Sequence, residues 1–451
     1  MARLKKFTEF ADGLFPSEVA YVKAHNDYQD QELLNVLDLI EERVLKENTK
    51  KNFDKSIDPR KYSKLQKSFK YKLSKVDVDF YYEWISKANY LINIDAIPPE
   101  EQTRILREIE MFEPGWYHMG SFYRLVERFD EYLVRRYREK DVKSVRSFLN
   151  KHRSSYLLNL ETAEKINSIT DKVVFESTNG ELEDELKWLL NVFYDEELSK
   201  KNRYAALVTF MMYHINQKNI DQVIKPMDVL ENAIFKGDFY SRRILSNFYA
   251  NKLLLLNYRG KYKEAAFCGR QSIKHFTEDF LYYLNNYSSV LVHLNRCETA
   301  LTNMDKSMKV FKSTRDKGRR VIFIANYCRC LNRLSQYKKS VRMAQRFLDE
   351  LGKQIMQHRW HYFFRIFFFA LLQANDTDRM MKIERKFKLV EQEGKSGLLP
   401  YISILKLGAS YREVRLSQKE FDTQLSSLKT EFQTQVKPEL QELISEMERI
   451  G

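Results

Sequence analysis

The chain has 451 residues, 43% of them hydrophobic and 31% charged, and a formal net charge of +14. Its 13 Gly and 8 Pro make up about 5% of the chain against a usual ~12%, too few for a turn-dense β protein. The apolar content excludes a disordered chain, so a folded, all-α protein is expected.

The N-terminus is basic at Arg3, Lys5 and Lys6, but Glu9 and Asp12 interrupt any apolar core for export, so no signal peptide is read and a cytoplasmic protein is expected. Leu33, Val36, Leu37, Ile40 and Val44 recur at three-to-four spacing and line one helical face. The polar stretch from Lys46 to Asp58 breaks that pattern. Asp58-Pro59 and Pro98-Pro99-Glu100 then place proline and acid where a helix N-terminus accepts them, and Glu113-Pro114-Gly115 closes the second of these helices. Further helices are expected over Phe122 to Arg138 and Val142 to Ile169. The turn at Ser177-Thr178-Asn179-Gly180 ends an N-terminal helical region, residues 1–180.

From about Tyr204 a helix pair recurs. Three segments align: Tyr249 to Ala265, Leu284 to Ala300 and Ile324 to Ser340. Each closes on a small residue, and these steps are 35 and 40 residues long. A fourth segment, Phe364 to Asp378, has the same shape but reaches Met380 at the closing position, and Leu207 to Val223 is a weaker upstream copy. In the best copy, Gly260-Lys261-Tyr262-Lys263-Glu264-Ala265 follows the pattern G-x-Y-x-x-A. These features resemble the tetratricopeptide repeat, a helix–turn–helix unit of about 34 residues, in degenerate form over residues 204–390. The usual Gly/Ala position in the first helix holds Leu253, Ser288 and Cys328 instead. The resemblance implies an α-solenoid of antiparallel helix pairs whose first helices line a concave wall, where ligands of the family usually lie.

Residues 400–451 carry two further helical seams, Phe421-Leu425-Leu428-Phe432 and Leu440-Leu443-Met447-Ile450, separated near Pro438. They read either as a helix capping the last repeat or as a short coiled-coil contact that would make an oligomer. The longest apolar run, Tyr362 to Leu372, carries Arg365 and is far short of the ~20 residues of a membrane span.

One polar residue stands third in each aligned segment: Asn251, Asn286 and Asn326. By the resemblance this position faces the concave wall, where a carboxamide can pair with both groups of a peptide unit, so a ladder holding an extended peptide is one reading. The other is an amide merely tolerated in a first turn. Further turns on that face select Tyr258, His293, Arg329, Arg333 and, in the fourth segment, Arg365. A guanidinium keeps its charge and offers a fork matching carboxylate or phosphate, so the three arginines point to an acidic ligand. A second basic group, Lys312, Arg315, Lys317, Arg319 and Arg320 around Gly318, is expected in a loop.

Residues 1–200 hold 33 Lys/Arg against 37 Asp/Glu, and residues 201–451 hold 43 against 25, so the positive charge belongs to the second half. That field favours an anionic partner. No catalytic motif is found. Gly394-Lys395-Ser396 lacks the first glycine of a phosphate loop, since residue 389 is Leu389. His358 and His361 have no acid or Cys nearby in sequence, Cys268, Cys297, Cys328 and Cys330 form no C-x-x-C pair, and no cofactor or metal is implied. The expected function is a non-enzymatic scaffold or regulatory protein binding a peptide or acidic protein segment. The alternative is a nucleic-acid-associated regulator whose basic half contacts phosphates.

Overall fold

In a computed structural model, residues 2–45, 52–175, 182–431 and 438–450 are described, and among them all regular structure is helical. The chain is an α-solenoid of antiparallel helix pairs. It divides into two compact units, residues 1–248 and 249–451.

The first unit contains α1 (Ala2–Asp12), α2 (Pro16–Ala24), α3 (Gln31–Leu45), α4 (Pro59–Ser74), α5 (Val78–Asn93), α6 (Pro99–Glu110), α7 (Met119–Val134), α8 (Glu139–Phe175), α9 (Glu183–Tyr194), α10 (Lys200–Asn216) and α11 (Asp221–Phe235). The expected stripe of α3 is buried from Leu33 to Val44. Asp58 caps α4, its carboxylate accepting from the Arg60 N–H at 2.8 Å. Along the 37 residues of α8, Val145, Phe148, His152, Tyr156, Asn159, Thr162, Ile166 and Ile169 form one buried stripe, which packs on α7 and α10. The expected turn at residues 177–180 lies outside the described residues. The upstream repeat candidate, Leu207 to Val223, forms the α10–α11 pair of this unit.

Helix α12 (Arg242–Tyr258) leads into the second unit, with α13 (Tyr262–Ser272), α14 (Phe280–His293), α15 (Cys297–Lys306), α16 (Met308–Ser313), α17 (Lys317–Arg333), α18 (Tyr337–Gln357), α19 (Trp360–Gln373), α20 (Thr377–Phe387), α21 (Leu389–Lys395), α22 (Tyr401–Arg412), α23 (Gln418–Glu431) and α24 (Pro438–Ile450). The four aligned segments are the α12–α13, α14–α15, α17–α18 and α19–α20 turns. Their closing residues, Ala265, Ala300, Ser340 and Met380, all have zero exposure; the first three are small, and the fourth position is filled by a methionine. Each turn passes through one left-handed residue five positions earlier: Gly260, Asn295, Ser335 and Asn375, with φ between 55° and 71°. In each, the next N–H reaches back five residues, as from Lys261 to Leu256 and from Gln336 to Leu331, both at 2.9 Å. This is the Schellman closure that satisfies carbonyls left open at a helix end.

Helices α14, α17, α19 and α22 pack successively on one another, with α24 against α22. Their core includes Phe363, Phe364, Phe367 and Phe368, so the apolar run of α19 is core. Among the described residues no helix is long and apolar enough to cross a membrane. Phe421, Leu425, Leu440, Leu443 and Met447 join the same core, so both C-terminal seams are already covered within the unit. The expected seam members Phe432 and Ile450 lie outside the described side chains. A seam-to-seam coiled coil with a second chain is thereby corrected, because its apolar residues are occupied.

Candidate functional site

The basic face selected from sequence is assembled by α17 and α19. Asp316 caps α17, accepting from the Arg319 N–H at 3.0 Å, and one helical turn sets Arg329 and Arg333 on the same side. Arg365 projects from α19. Tyr362, one turn earlier, donates its hydroxyl to Asn326 Oδ1 at 2.5 Å, which fixes its ring. The Arg365 guanidinium lies 4.8 Å from the Tyr362 ring centre and 4.7 Å from that of Tyr401, a cation–π arrangement on two rings.

Three carboxylates of α24 meet this face. Glu439 bridges two arginines, with Arg329 Nη2 at 2.6 Å from one oxygen and Arg365 Nη2 at 3.0 Å from the other. Glu442 accepts both terminal nitrogens of Arg333, one at 2.7 Å, in a fork-to-fork pair. Glu446 accepts from Gln373 Nε2 at 2.7 Å. Burial alone would push the Glu439 carboxyl up, but Arg329 and Arg365 outweigh it and hold it below the ordinary range. The Arg333 hydrogen bond lowers Glu442, while burial, followed by Glu442 itself, raises Glu446. Beside these pairs lies a cavity of about 560 Å³ lined by Arg329, Arg333, Arg365, Tyr401, Glu439 and Glu442, among others.

The remaining expected residues are placed differently. Asn326 is 2% exposed and is not an open rung. Its amide donates to the Asn285 carbonyl at 3.1 Å while its oxygen accepts from Tyr362, so it ties α17 to α14 and α19. That corrects the three-membered ladder, since an amide held on both sides cannot grip a peptide. Asn251 and Asn286 are half-buried, Tyr258 is 49% exposed, and none of the three lines the arginine cavity. His293 stacks on Tyr262 at 4.9 Å, and partial burial, helped by Arg329 and Arg333, keeps its pKa low. The supposed basic loop is largely helix: Lys317, Arg319 and Arg320 open α17. Arg319 pairs with Asp279 and Asp316, and Arg320 with Glu350. His361 has an acidic neighbour brought from afar, Glu393 at 2.6 Å. Glu393 also accepts the Ile402 and Ser403 N–H groups at 2.9 Å, which anchors the start of α22. All four cysteines are buried and reduced, and no group of three metal ligands occurs among the described residues.

Gln373 was missed although its register was readable. Tyr258, His293, Arg333 and Gln373 each stand two positions before the left-handed residue of their turn, so one further step along the repeat reaches it. The glutamates of α24 gave no such signal, because their spacing matches an ordinary solvated helix face. No family model, curated protein or solved structure matches this chain.

Proposed function

We propose that the chain is a non-enzymatic interaction protein, built on degenerate tetratricopeptide-like repeats, that binds an acidic protein segment along the α17–α19 face of its second unit. The observation that supports this reading is Glu439 held between Arg329 and Arg365. The face accepts a carboxylate at a site where two guanidiniums from different repeats converge, one of them braced by tyrosine rings. Arginine suits the role because its planar fork pairs with carboxylate oxygens and its charge survives partial burial.

The test is affinity capture from nuclease-treated native lysate with the full wild-type chain and with Arg329→Gln/Arg365→Gln, after unfolding curves show that both are folded. Protein captured by the wild type and lost with the double variant supports an acidic-segment binder. Capture abolished by nuclease, with an affinity for single-stranded oligonucleotide that falls steeply with salt, would replace it with the nucleic-acid reading. Capture indifferent to both changes would remove the arginine face from the function.

A further inference from the structure

Helix α24 itself indicates what the arginine face recognises. Its carboxylates stand at i, i+3 and i+7, on Glu439, Glu442 and Glu446, and each meets a matching group on α17 or α19. Its apolar side chains Leu440, Leu443 and Met447 lie buried on an adjoining stripe. Met447 approaches the unit so closely that a Cβ at Gly408 would lie 2.6 Å from its sulfur. An acidic amphipathic helix is thus already bound, by charge on one side and apolar contact on the other. This is the helix-in-groove mode of recognition, read through anchors three and four residues apart.

Covering the end of a repeat array does not require these charges. Exchanging a buried ion pair for packed apolar groups is often neutral or stabilising, so such pairs are weak devices for stability and better attested as devices for register and partner choice. Arg365, moreover, is braced by Tyr362 and Tyr401, neither of which belongs to α24. The receiving side is therefore organised independently of its occupant. A helix of 13 residues is also marginal in water without such docking, so one that leaves the face does not persist as a stable competitor.

We propose that α24 is an intramolecular stand-in, and that the partner of this face is an acidic amphipathic helix presenting carboxylates at the Glu439, Glu442 and Glu446 spacing beside an apolar stripe, which binds by displacing α24. This rests on the function proposed above and specifies its ligand. A tethered helix competes at an effective concentration of order mM, so the intact chain binds a free helix weakly until α24 is released.

The probe is a fluorescent, terminally blocked peptide of sequence 438–450, titrated into the full chain as wild type and as Glu439→Lys/Glu442→Lys. Hydrogen exchange is followed in parallel over α19, α22 and α24. The expected result is at least about tenfold tighter peptide binding to the double variant, with faster exchange in α24 and unchanged protection in α19 and α22. Adding Arg329→Gln/Arg365→Gln to that chain should abolish the gain. Equal affinity for both chains, or an α24 that stays as protected as α22 despite the reversed charges, would overturn the proposal and leave α24 a cap. If the peptide result fails but arginine-dependent, nuclease-resistant capture persists in the preceding experiment, the broader function survives without this ligand. If a single-stranded oligonucleotide binds the opened chain and the peptide does not, the helix assignment is wrong.

Discussion

Arg333 and Glu442 illustrate how exposure sets the worth of a residue pair. Both side chains are more than a third exposed, so water screens them, and their coupling in a double-mutant cycle should be about 0.5–1 kcal/mol despite the two-pronged geometry. Arg329, with 13% of its side chain exposed, leaves Glu439 under-compensated when removed. Arg329→Gln should therefore cost more than Arg333→Gln, roughly 3 kcal/mol in urea unfolding, and equal costs would contradict the burial. In the first unit, His118 is 7% exposed, donates one hydrogen bond from Nε2 to the Val78 carbonyl, and faces Tyr81 and Tyr82, with Asp79 and Lys201 as its charged neighbours. Burial pushes its pKa down to about 4. The unfolded chain then takes up a proton near pH 6.5 that the folded one refuses. The stabilisation is complete above that pH and declines as pH falls towards 4, by roughly 3 kcal/mol at most. Unfolding curves of the wild type and His118→Gln between pH 7.5 and pH 4 should converge as the pH drops. Parallel curves would mean that His118 does not titrate in this range.

At the scale of the element, the helix pair is defined by its turn more than by its repeat consensus. A period was visible because the small residues Ala265, Ala300 and Ser340 recur at the same fully buried position of each pair, although Met380 fills it in the fourth. The turn glycine was visible only once, since Asn295, Ser335 and Asn375 adopt the same left-handed conformation at a conformational cost that the closing hydrogen bonds offset. Gly260 isolates that cost, because a Cβ there would meet nothing within 4 Å. Gly260→Ala should lower stability by about 1 kcal/mol through backbone alone. Ser335→Gly should recover up to a similar amount, less the extra freedom that glycine gives the unfolded chain. Opposite signs in thermal or urea unfolding are the expected pattern. Destabilisation by both changes would show that the Ser335 side chain, rather than its backbone, matters.

Across the whole molecule, fold class and helix order follow from composition and periodicity because both are local properties of the chain. The arginine cluster was legible for the same reason: Arg329 and Arg333 are one turn apart, and Arg365 sits in the next copy of the pair. Its occupant was not, since nothing local links Glu439 to residues some 110 and 74 positions earlier, and the Asn326 contacts likewise join three separate helices. Charge acts at a longer range than either. Residues 201–451 carry 43 Lys/Arg against 25 Asp/Glu, an excess that would steer the proposed acidic helix towards the protein without deciding how firmly it stays. Association and dissociation should therefore separate in stopped-flow measurements with the 438–450 peptide and the Glu439→Lys/Glu442→Lys chain. Raising the salt from about 20 to about 200 mM should slow association by around tenfold and change dissociation little, because the Debye length shrinks while contacts at the partly buried arginines are less screened. Arg365→Gln should do the reverse, speeding dissociation by about tenfold or more with a small effect on association, since it removes a fork held between two rings. If salt accelerates dissociation as strongly as Arg365→Gln does, the peptide is held by diffuse surface charge and the α17–α19 face is not its seat.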